Sequence, residues 1–224
     1  MRIRSLNRWD VSPEEAIRIQ RELSSLVSVR DEINTVTKVA GVDTSVHNDS
    51  MLAIVVILSY PEFTVLETAR STLPPQFPYI PGLLSFREAP SILEAFKQVQ
   101  NEPDLIMVDG QGIAHPRRFG IACHIGLVLN IPTIGVAKSM LIGSHEPVGE
   151  EPGSVSYVAH GDEVIGAAVR TKAKTKPVYV SVGHRLTLET AIHYVLASIR
   201  RHRLPEPTRL AHAAAKAGVT GKAS

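Results

Sequence analysis

The spacing of apolar and polar residues changes several times along the chain, and each change predicts a helix or a strand. Ser12–Glu15 offers a capping serine, a first-turn proline and a glutamate at capping-box spacing, which predicts the start of a helix. Apolar residues then recur at broadly helical spacing as far as Ser28. Three strand-like runs with short connections follow, and they predict an antiparallel meander. These runs are Thr37–Asp43, Leu52–Ser59 and Phe63–Ser71.

The middle of the chain predicts a proline-rich loop and then a strand–helix–strand unit. Four prolines in residues 74–81 exclude regular structure there, because each fixes φ and lacks an N–H donor. Leu105–Val108 and Pro132–Val136 are apolar without alternation, as strands buried on both faces should be. With a helix between them, they should be parallel with a right-handed crossover. The other predicted elements are helices at Ser91–Gln100, Phe119–Leu129 and Leu188–Arg201, strands at Val164–Arg170 and Val178–Ser181, and a short terminal helix opened by Pro205 and Pro207.

This order of elements predicts an α/β fold with one mixed sheet. Three antiparallel strands followed by parallel strands, with helices on both faces, form the ribonuclease H-like arrangement, although another α/β fold fits the same pattern. No internal repeat and no long linker divides the 224 residues. We therefore expect one domain over residues 1–224, with a basic, flexible tail after about residue 214.

Composition indicates an ordinary soluble globular protein and excludes several other classes. Hydrophobic residues make up 44% of the chain and charged residues 21%, which argues against disorder and collagen-like repeats. The single cysteine, Cys123, permits no internal disulfide and favours a reducing compartment. We see no signal peptide and no apolar run long enough to cross a bilayer. These features predict a cytoplasmic protein that does not use a membrane.

The distribution of charge is more informative than the net charge of +2. Cations cluster in two basic segments. The first contains no acidic residue and the second contains only Glu206, and such clusters favour contacts with phosphates. On charge alone, a solvated surface explains them equally well. The cations are Arg170, Lys172, Lys174, Lys176 and Arg185 in the first segment, and Arg200, Arg201, Arg203, Arg209, Lys216 and Lys222 in the second.

Two aspartates stand at the ends of predicted apolar strands and are the first candidates for chemistry. Asp43 follows Val39–Val42, and Asp109 follows Leu105–Val108. An unpaired buried charge is costly, and if the two strands are neighbours the carboxylates converge on a site that suits Mg²⁺ or Mn²⁺. Alternatively, each aspartate caps the turn that follows its strand. Glu88, between the proline-rich loop and the next predicted helix, is a third candidate carboxylate, or else a surface residue.

Several other residues near these strand ends could contact a substrate. Lys138 follows the strand that ends at Val136 and could stabilise charge on a phosphate or a leaving group, although a lysine there is often simply solvated. Among nine histidines, His115 and His212 carry the most weight, and no spacing indicates a zinc site. Gly110 and Gly112 let backbone approach a ligand closely, or they form a turn.

The segment Pro78-Tyr79-Ile80-Pro81 has an unusual composition for a loop. Two prolines stiffen a tip that carries an aromatic and a branched aliphatic side chain. Rigid apolar tips of this kind can wedge between stacked bases and expose one of them. The alternative is a loop that folds back, with Tyr79 and Ile80 in the core.

These pieces, in this order, resemble the endonuclease V family. Pro78–Gly82 and Val108–Gly112 are specific in combination, and the resemblance spans most of the chain from residue 36 to residue 212. It implies a ribonuclease H-like fold and Mg²⁺-dependent hydrolysis of a phosphodiester one nucleotide beyond inosine on its 3′ side. The matching stretches are Val39–Thr44, Phe77–Pro90, Val108–Gly120, Pro132–Gly143, Lys176–Arg185 and Arg203–His212.

The resemblance also implies roles for the residues singled out above. The metal-site carboxylates of the family correspond to Asp43, Glu88 and Asp109, with Mn²⁺ as a substitute for Mg²⁺. His212 matches a position that is an aspartate in some members, which leaves the number of metal ions open. The implied substrate contacts are the wedge Pro78–Pro81 with Tyr79 prominent, the backbone around Gly82, Leu84 and Gly110 for the base, and Lys138 and His115 near the scissile phosphate.

The resulting expectation is a monomeric DNA repair endonuclease that nicks the second phosphodiester bond 3′ to deoxyinosine and also acts on inosine in RNA. Another ribonuclease H-like nuclease, a resolvase or a hybrid ribonuclease, is the main alternative, but it would not need the wedge. An actin-like or sugar-kinase phosphotransferase would need a second glycine-rich phosphate loop, which we do not find. A protein that only binds damaged strands would not need the metal-site carboxylates.

Overall fold

A computed structural model of the protein describes residues 1–47 and 49–219, which form five helices and one eight-stranded sheet. The order of strands across the sheet is β3-β2-β1-β4-β5-β8-β7-β6. The helices are α1 Pro13–Ser24, α2 Leu84–Gln98, α3 Ile121–Leu129, α4 Leu188–Ala197 and α5 Glu206–Val219. The strands are β1 Lys38–His47, β2 Ser50–Ser59, β3 Val65–Leu73, β4 Leu105–Val108, β5 Thr133–Ala137, β6 Val155–His160, β7 Glu163–Val169 and β8 Val178–His184.

The sheet is mixed, as the sequence predicts. Strands β1, β2 and β3 pair antiparallel, while β4 pairs parallel with β1 on one side and with β5 on the other. Beyond β5 the pairing is antiparallel through β8, β7 and β6. The predicted meander and the predicted parallel strand–helix–strand unit are both confirmed.

Helices cover both faces of the sheet, and alternate residues of the central strands are buried in the two cores that lie beneath these helices. Leu105 and Met107 of β4 belong to a core that includes residues of α4 and α5. Ile106 and Val108 of the same strand belong to a second core that includes residues of α2 and α3. All four side chains are buried, with at most 1% exposed. Burial on both faces explains why the strand shows no alternation.

Two predicted boundaries near the candidate site were wrong. Strand β1 does not end at Asp43 but continues to His47 in a hairpin with β2, so Asp43 lies within the strand. Helix α2 begins at Leu84 instead of Ser91, and Pro90 lies inside it. A proline in a helix interior removes one backbone hydrogen bond, which is why the sequence favoured a later start. Glu88 is therefore a helical residue and not part of a loop.

Other differences concern the chain ends and one edge of the sheet. Strand β6 was missed, since only one of its six residues is buried and an edge strand has a weak pattern. Helix α1 ends at Ser24, four residues early, where the hydroxyls of Ser24 and Ser25 bond back to the preceding turn. Helix α4 ends at Ala197, and α5 runs to Val219, past the predicted start of the tail. Lys222 and the rest of that tail lie outside the described residues.

No helix in the described part of the chain is both long enough and apolar enough to cross a membrane.

Candidate active site

Two neighbouring parallel strands place a pair of carboxylates side by side. Val42 of β1 lies opposite Val108 of β4, so the residues that follow them, Asp43 and Asp109, are neighbours. The Asp109 N–H donates a hydrogen bond to the Val42 carbonyl at 3.0 Å. The two carboxylate side chains are only 11% and 13% exposed, respectively. The sheet thus holds two carboxylates close together with little water around them.

Helix α5 adds an imidazole to this pair. His212 Nδ1 lies 2.7 Å from Asp43 Oδ2. The helix can approach β1 because Gly41 has no side chain, and a Cβ there would lie 1.9 Å from the Pro207 carbonyl oxygen. One ligand atom from each of Asp43, Asp109 and His212 lies within 4.8 Å of the other two. A group of this size can hold one metal ion.

Lys138, just after β5, brings positive charge to the same group. Its Nζ lies 2.5 Å from Asp109 Oδ2 and 3.5 Å from His212 Nδ1. The lysine side chain is 40% exposed, so its ammonium can reach both the carboxylate and solvent. A phosphate that approached the carboxylates would therefore meet this ammonium.

Glu88 lies next to the carboxylate pair but outside the group of three ligand atoms. The Thr44 hydroxyl donates to Glu88 Oε2 at 3.0 Å, and the Thr44 N–H donates to Asp43 Oδ1 at 2.9 Å. Burial, together with the charges of Asp43 and Asp109, raises the pKa of Glu88 to about 7 against the weaker, opposing effect of the Thr44 bond. The pKa of Asp43 is raised as well, first by burial and then by the Asp109 charge.

Burial and the neighbouring carboxylates thus disfavour the ionised forms of Asp43 and Glu88. Carboxylate oxygens are the ligands that Mg²⁺ prefers, and Mn²⁺ accepts both carboxylate and imidazole. Asp43, Asp109 and His212 therefore fit a hard divalent cation, and Glu88 is close enough to feel the charge of both aspartates.

A cavity of about 350 Å³ opens beside the carboxylates. Its wall includes Glu88, Asp109 and Lys138 on the charged side of the site. The same wall includes five of the residues predicted to contact a substrate: Tyr79, Pro81, Gly82, Leu84 and Gly110. The first turn of α2 also faces this space, and its N-cap, Leu83, makes no side-chain capping bond. Backbone N–H groups of that turn, at Leu84 and Ser85, have no partner within the helix and can bind an acceptor.

The loop before α2 divides its two apolar side chains between solvent and core. Tyr79 is 68% exposed, whereas Ile80 packs against a core cluster formed with α1 and α3. The turn Ile80–Leu83 closes with a hydrogen bond from the Leu83 N–H to the Ile80 carbonyl at 2.9 Å. Pro81 and Gly82, with φ of +80° at the glycine, are the residues that a type II turn requires. The loop is thus anchored by Ile80 and presents Tyr79 outward.

Comparisons with known proteins agree on one family. The Endonuclease V family model matches residues 21–213 of the chain. Endonuclease V from Trichormus variabilis is 51% identical over 214 residues, which cover 94% of this chain and 97% of that protein. The chain belongs to the endonuclease V family.

Solved structures of endonuclease V share the whole fold. The Streptomyces avermitilis protein has a TM-score of 0.90 and 37% identity, covering 99% of each chain. The Ciona intestinalis protein has a TM-score of 0.81 and 27% identity, covering 93% of this chain and 97% of that one. The latter structure is a complex with a 24mer DNA that contains an inosine followed by a ribo-adenosine. The predicted family, the α/β fold and the assignment as a nuclease acting on DNA are confirmed.

Besides Ile80, two residues predicted to contact substrate have other surroundings in this protein. Gly112 does not line the cavity: its N–H donates to Ser181 Oγ at 2.8 Å, and a Cβ would lie 2.0 Å from the Val182 carbonyl oxygen. Its lack of a side chain serves packing against β8. His115 does line the cavity, but it is 3% exposed and its Nε2 lies 2.9 Å from the Gly82 carbonyl oxygen. It is not in the group of metal-ligating atoms.

The basic segments are partly used to hold loops together. Lys172 donates to the Arg201 carbonyl at 2.8 Å, and Arg203 donates to the carbonyls of Lys138 and Pro177 at 3.1 and 2.7 Å. Arg203 thereby ties the segment that carries Lys138 to the start of β8. These cations order the backbone around the site, whereas Lys174 and Lys176 are exposed.

Sequence reasoning missed three residues that organise this site. Thr44 links Glu88 to Asp43, and Gln20 and Arg117 both donate to the Gly82 carbonyl. Gln20 did give a signal, since a glutamine beside Ile19 on the apolar face of α1 must find a buried partner.

Proposed function

We propose that this protein nicks a DNA strand at the second phosphodiester bond 3′ to deoxyinosine, using a divalent cation. One observation carries the proposal: the group Asp43, Asp109 and His212 lies beside a cavity that also reaches Gly82 and the exposed Tyr79. A site with these parts can hold a base in the cavity while a phosphate lies near the carboxylates. The Ciona intestinalis structure, whose DNA contains inosine, supports this choice of base.

The chain's own residues would divide the work as follows. Asp43, Asp109 and His212, with Glu88 beside them, would hold Mg²⁺ or Mn²⁺. Such an ion polarises phosphate oxygens and offsets the negative charge that develops during hydrolysis. Lys138 would place its ammonium against the phosphate or the departing oxygen.

The loop Pro78–Pro81 would expose the base before cleavage. Tyr79 is positioned outward to replace a base in the stack, which lowers the cost of extruding the inosine, a few kcal/mol. Backbone N–H groups at Leu84 and Ser85 would bind acceptors of the hypoxanthine ring, and Gly82 and Gly110 would allow its close approach. We also propose action on inosine in RNA, since a pocket that reads the base does not by itself exclude a ribose. A cytoplasmic monomer is sufficient for this function.

Cleavage of defined oligonucleotides tests the proposal. DNA and RNA strands with a single inosine are incubated with Mg²⁺, Mn²⁺ or EDTA, and the cut position is mapped against a ladder. We expect cutting one nucleotide beyond inosine with either metal and none in EDTA. Binding without any metal-dependent cutting would contradict the proposal and favour a protein that only recognises damage.

A further inference from the structure

Three side chains converge on one backbone carbonyl, that of Gly82. Gln20 Nε2, His115 Nε2 and Arg117 Nη2 lie 3.0, 2.9 and 2.7 Å from the Gly82 oxygen. A carbonyl oxygen has two lone pairs, so three donors from the protein occupy it fully. The same oxygen is therefore unavailable to a substrate, although Gly82 lines the cavity. We call Gln20, His115 and Arg117 the Gly82 clamp.

The members of the clamp also fix one another. Arg117 Nε donates to Gln20 Oε1 at 2.5 Å, which leaves the Gln20 amide nitrogen pointing at Gly82 and at the Phe119 carbonyl. The Arg117 N–H donates to His115 Nδ1 at 3.2 Å, so the proton of the neutral imidazole is on Nε2 and is donated to Gly82. Burial lowers the pKa of His115 to about 4, which keeps the imidazole neutral.

The clamped residue joins the two parts of the site. Gly82 follows the wedge loop Pro78–Pro81 directly and precedes α2, the helix that carries Glu88. With φ of +80° it adopts a conformation that other residues rarely take, and the clamp holds it there. A change in the orientation of Gly82 would turn Tyr79 and the first turn of α2 together.

We propose that Gln20, His115 and Arg117 are positioning residues that act as one unit through the Gly82 carbonyl, and that His115 transfers no proton in the reaction. The clamp fixes the wedge and the base cavity before substrate arrives, so little ordering remains to be done on binding. This inference rests on the proposed cutting at inosine, and it assigns His115 to the cavity wall instead of the scissile phosphate.

A conservative replacement of His115 distinguishes a role in positioning Gly82 from a role in proton transfer. The amide nitrogen of glutamine can take the place of Nε2 and donate to Gly82, but an amide cannot exchange a proton as an acid or base. We expect His115→Gln to keep kcat/KM for an inosine duplex within about threefold of wild type. His115→Ala should lose about tenfold or more, because the Gly82 carbonyl then loses one of the three contacts that fix its orientation. Equal losses in both variants would overturn the inference.

The other two members test whether the clamp acts as a unit. Gln20→Ala and Arg117→Ala should each lower kcat/KM about tenfold. The double variant should have a kcat/KM no lower than that of the less active single variant. Losses that simply multiply would show separate roles and contradict the inference. Arg18→Ala, on the exposed face of the same helix, is the matched control and should cut like wild type. All rates are taken well below the melting temperature of each variant.

The outcome for wild type keeps this inference distinct from the proposed function. Failure of wild type to cut at inosine would overturn the proposed function, and the inference with it. Cutting by wild type with His115→Gln as inactive as His115→Ala would overturn the inference alone.

Discussion

Strand β4 has an aspartate at each end, and the two carboxylates have opposite surroundings. Asp104, before the strand, accepts hydrogen bonds from the N–H groups of Thr37 and Lys38 and from the Thr37 hydroxyl, at 2.8, 3.0 and 2.9 Å. Although burial acts to raise its pKa, these bonds outweigh it and the pKa is lowered. Asp109, after the strand, lies beside another carboxylate, Asp43, whose pKa is raised by burial and by the Asp109 charge.

The difference separates a structural carboxylate, Asp104, from the carboxylate that we propose to be functional, Asp109. At the start of β4 the backbone supplies the donors, so the negative charge is stabilised by the fold itself. At the other end the protein gathers Asp43, Asp109 and Glu88 with one nearby ammonium, that of Lys138. Position at a strand end is the same in both cases, and the partners differ. We infer that the second end is arranged to receive a cation.

The largest expected effect comes from replacing the two aspartates with alanine, one at a time. Asp109→Ala should lower nicking with Mg²⁺ by roughly 10³-fold or more, because it removes a proposed metal ligand. Its thermal stability should be unchanged or higher, since a repulsive charge is lost. Asp104→Ala should cost about 1 kcal/mol of unfolding free energy, because the N–H groups of Thr37 and Lys38 lose a partly exposed acceptor. The rate per folded molecule should stay near that of wild type.

Nicking assays and chemical denaturation measure the two quantities separately. Binding of inosine DNA to Asp109→Ala, followed by fluorescence anisotropy, is the control for an intact cavity. If Asp104→Ala lost cutting while remaining folded, or if Asp109→Ala kept it, the contrast between the two ends of β4 would be wrong.

A smaller loss is expected at the cation of the functional end. Lys138→Met keeps the length of the side chain but removes the ammonium, and we expect nicking to fall about 10²-fold because a charge that stabilises the phosphate is lost. Lys97→Met is the matched control: Lys97 pairs with Glu94 on the surface of α2 at 2.6 Å, and exposed pairs contribute little. Equal rates in the two variants would leave Lys138 as a surface residue.

The same contrast, between a side chain that the fold uses and one that it leaves available, applies to apolar groups in the loop before α2. Tyr79 stays exposed, whereas the neighbouring Ile80 packs against the core. Tyr79→Ala should leave the melting temperature unchanged and lower nicking of an inosine duplex about tenfold, because extruding a base from the stack costs a few kcal/mol that the ring offsets in part. A single-stranded inosine substrate needs no such help and should be cut normally. Tyr157→Ala, at a tyrosine 52% exposed on β6, is the control. A similar loss on both substrates would contradict a wedge.

Sequence patterns reached the two aspartates because an apolar run that ends in a carboxylate is a local signal. They also placed Lys138 correctly after a buried strand. What they could not supply was the partner of each group. Asp104 bonds to residues 66 and 67 positions away, and Gln20 bonds to Gly82 across 62 positions. Such pairs depend on the order of strands and helices in space, which periodicity does not report.

The start of α2 was mispredicted for a related reason. Pro90 carries a strong local preference against a helix interior, yet packing of Phe86 and Ala89 into the cores keeps the segment helical. Glu88 was therefore found as a residue but not as a helical one facing Asp43. Its link to Asp43 through Thr44 depends on that helix.

Glu88 gives the smallest expected effect, and it tests the charge at the functional end without any substrate. Its pKa is about 7 in the folded protein against 4.5 as the ordinary value, so the folded state holds a proton that the unfolded state releases. This contribution to stability is present below about pH 4.5 and is lost as the pH rises through 7. In EDTA, the melting temperature of wild type relative to Glu88→Gln should therefore fall by several degrees between pH 5 and pH 8.

The quantity to measure is the difference in melting temperature between wild type and Glu88→Gln, because buried histidines change stability with pH in the opposite direction. His115 and His184 each have a pKa of about 4, lowered by burial, so both proteins gain stability as the pH rises through 6.5. Both proteins carry the same histidines, so the histidine contribution cancels in the comparison. Glutamine imitates the protonated Glu88, so the remaining difference comes from the carboxyl group alone. Mg²⁺ should shrink the difference, since a cation stabilises the ionised form. Parallel melting curves in EDTA would mean that Glu88 is already ionised at pH 5, and that this end of β4 carries its negative charge without needing a cation.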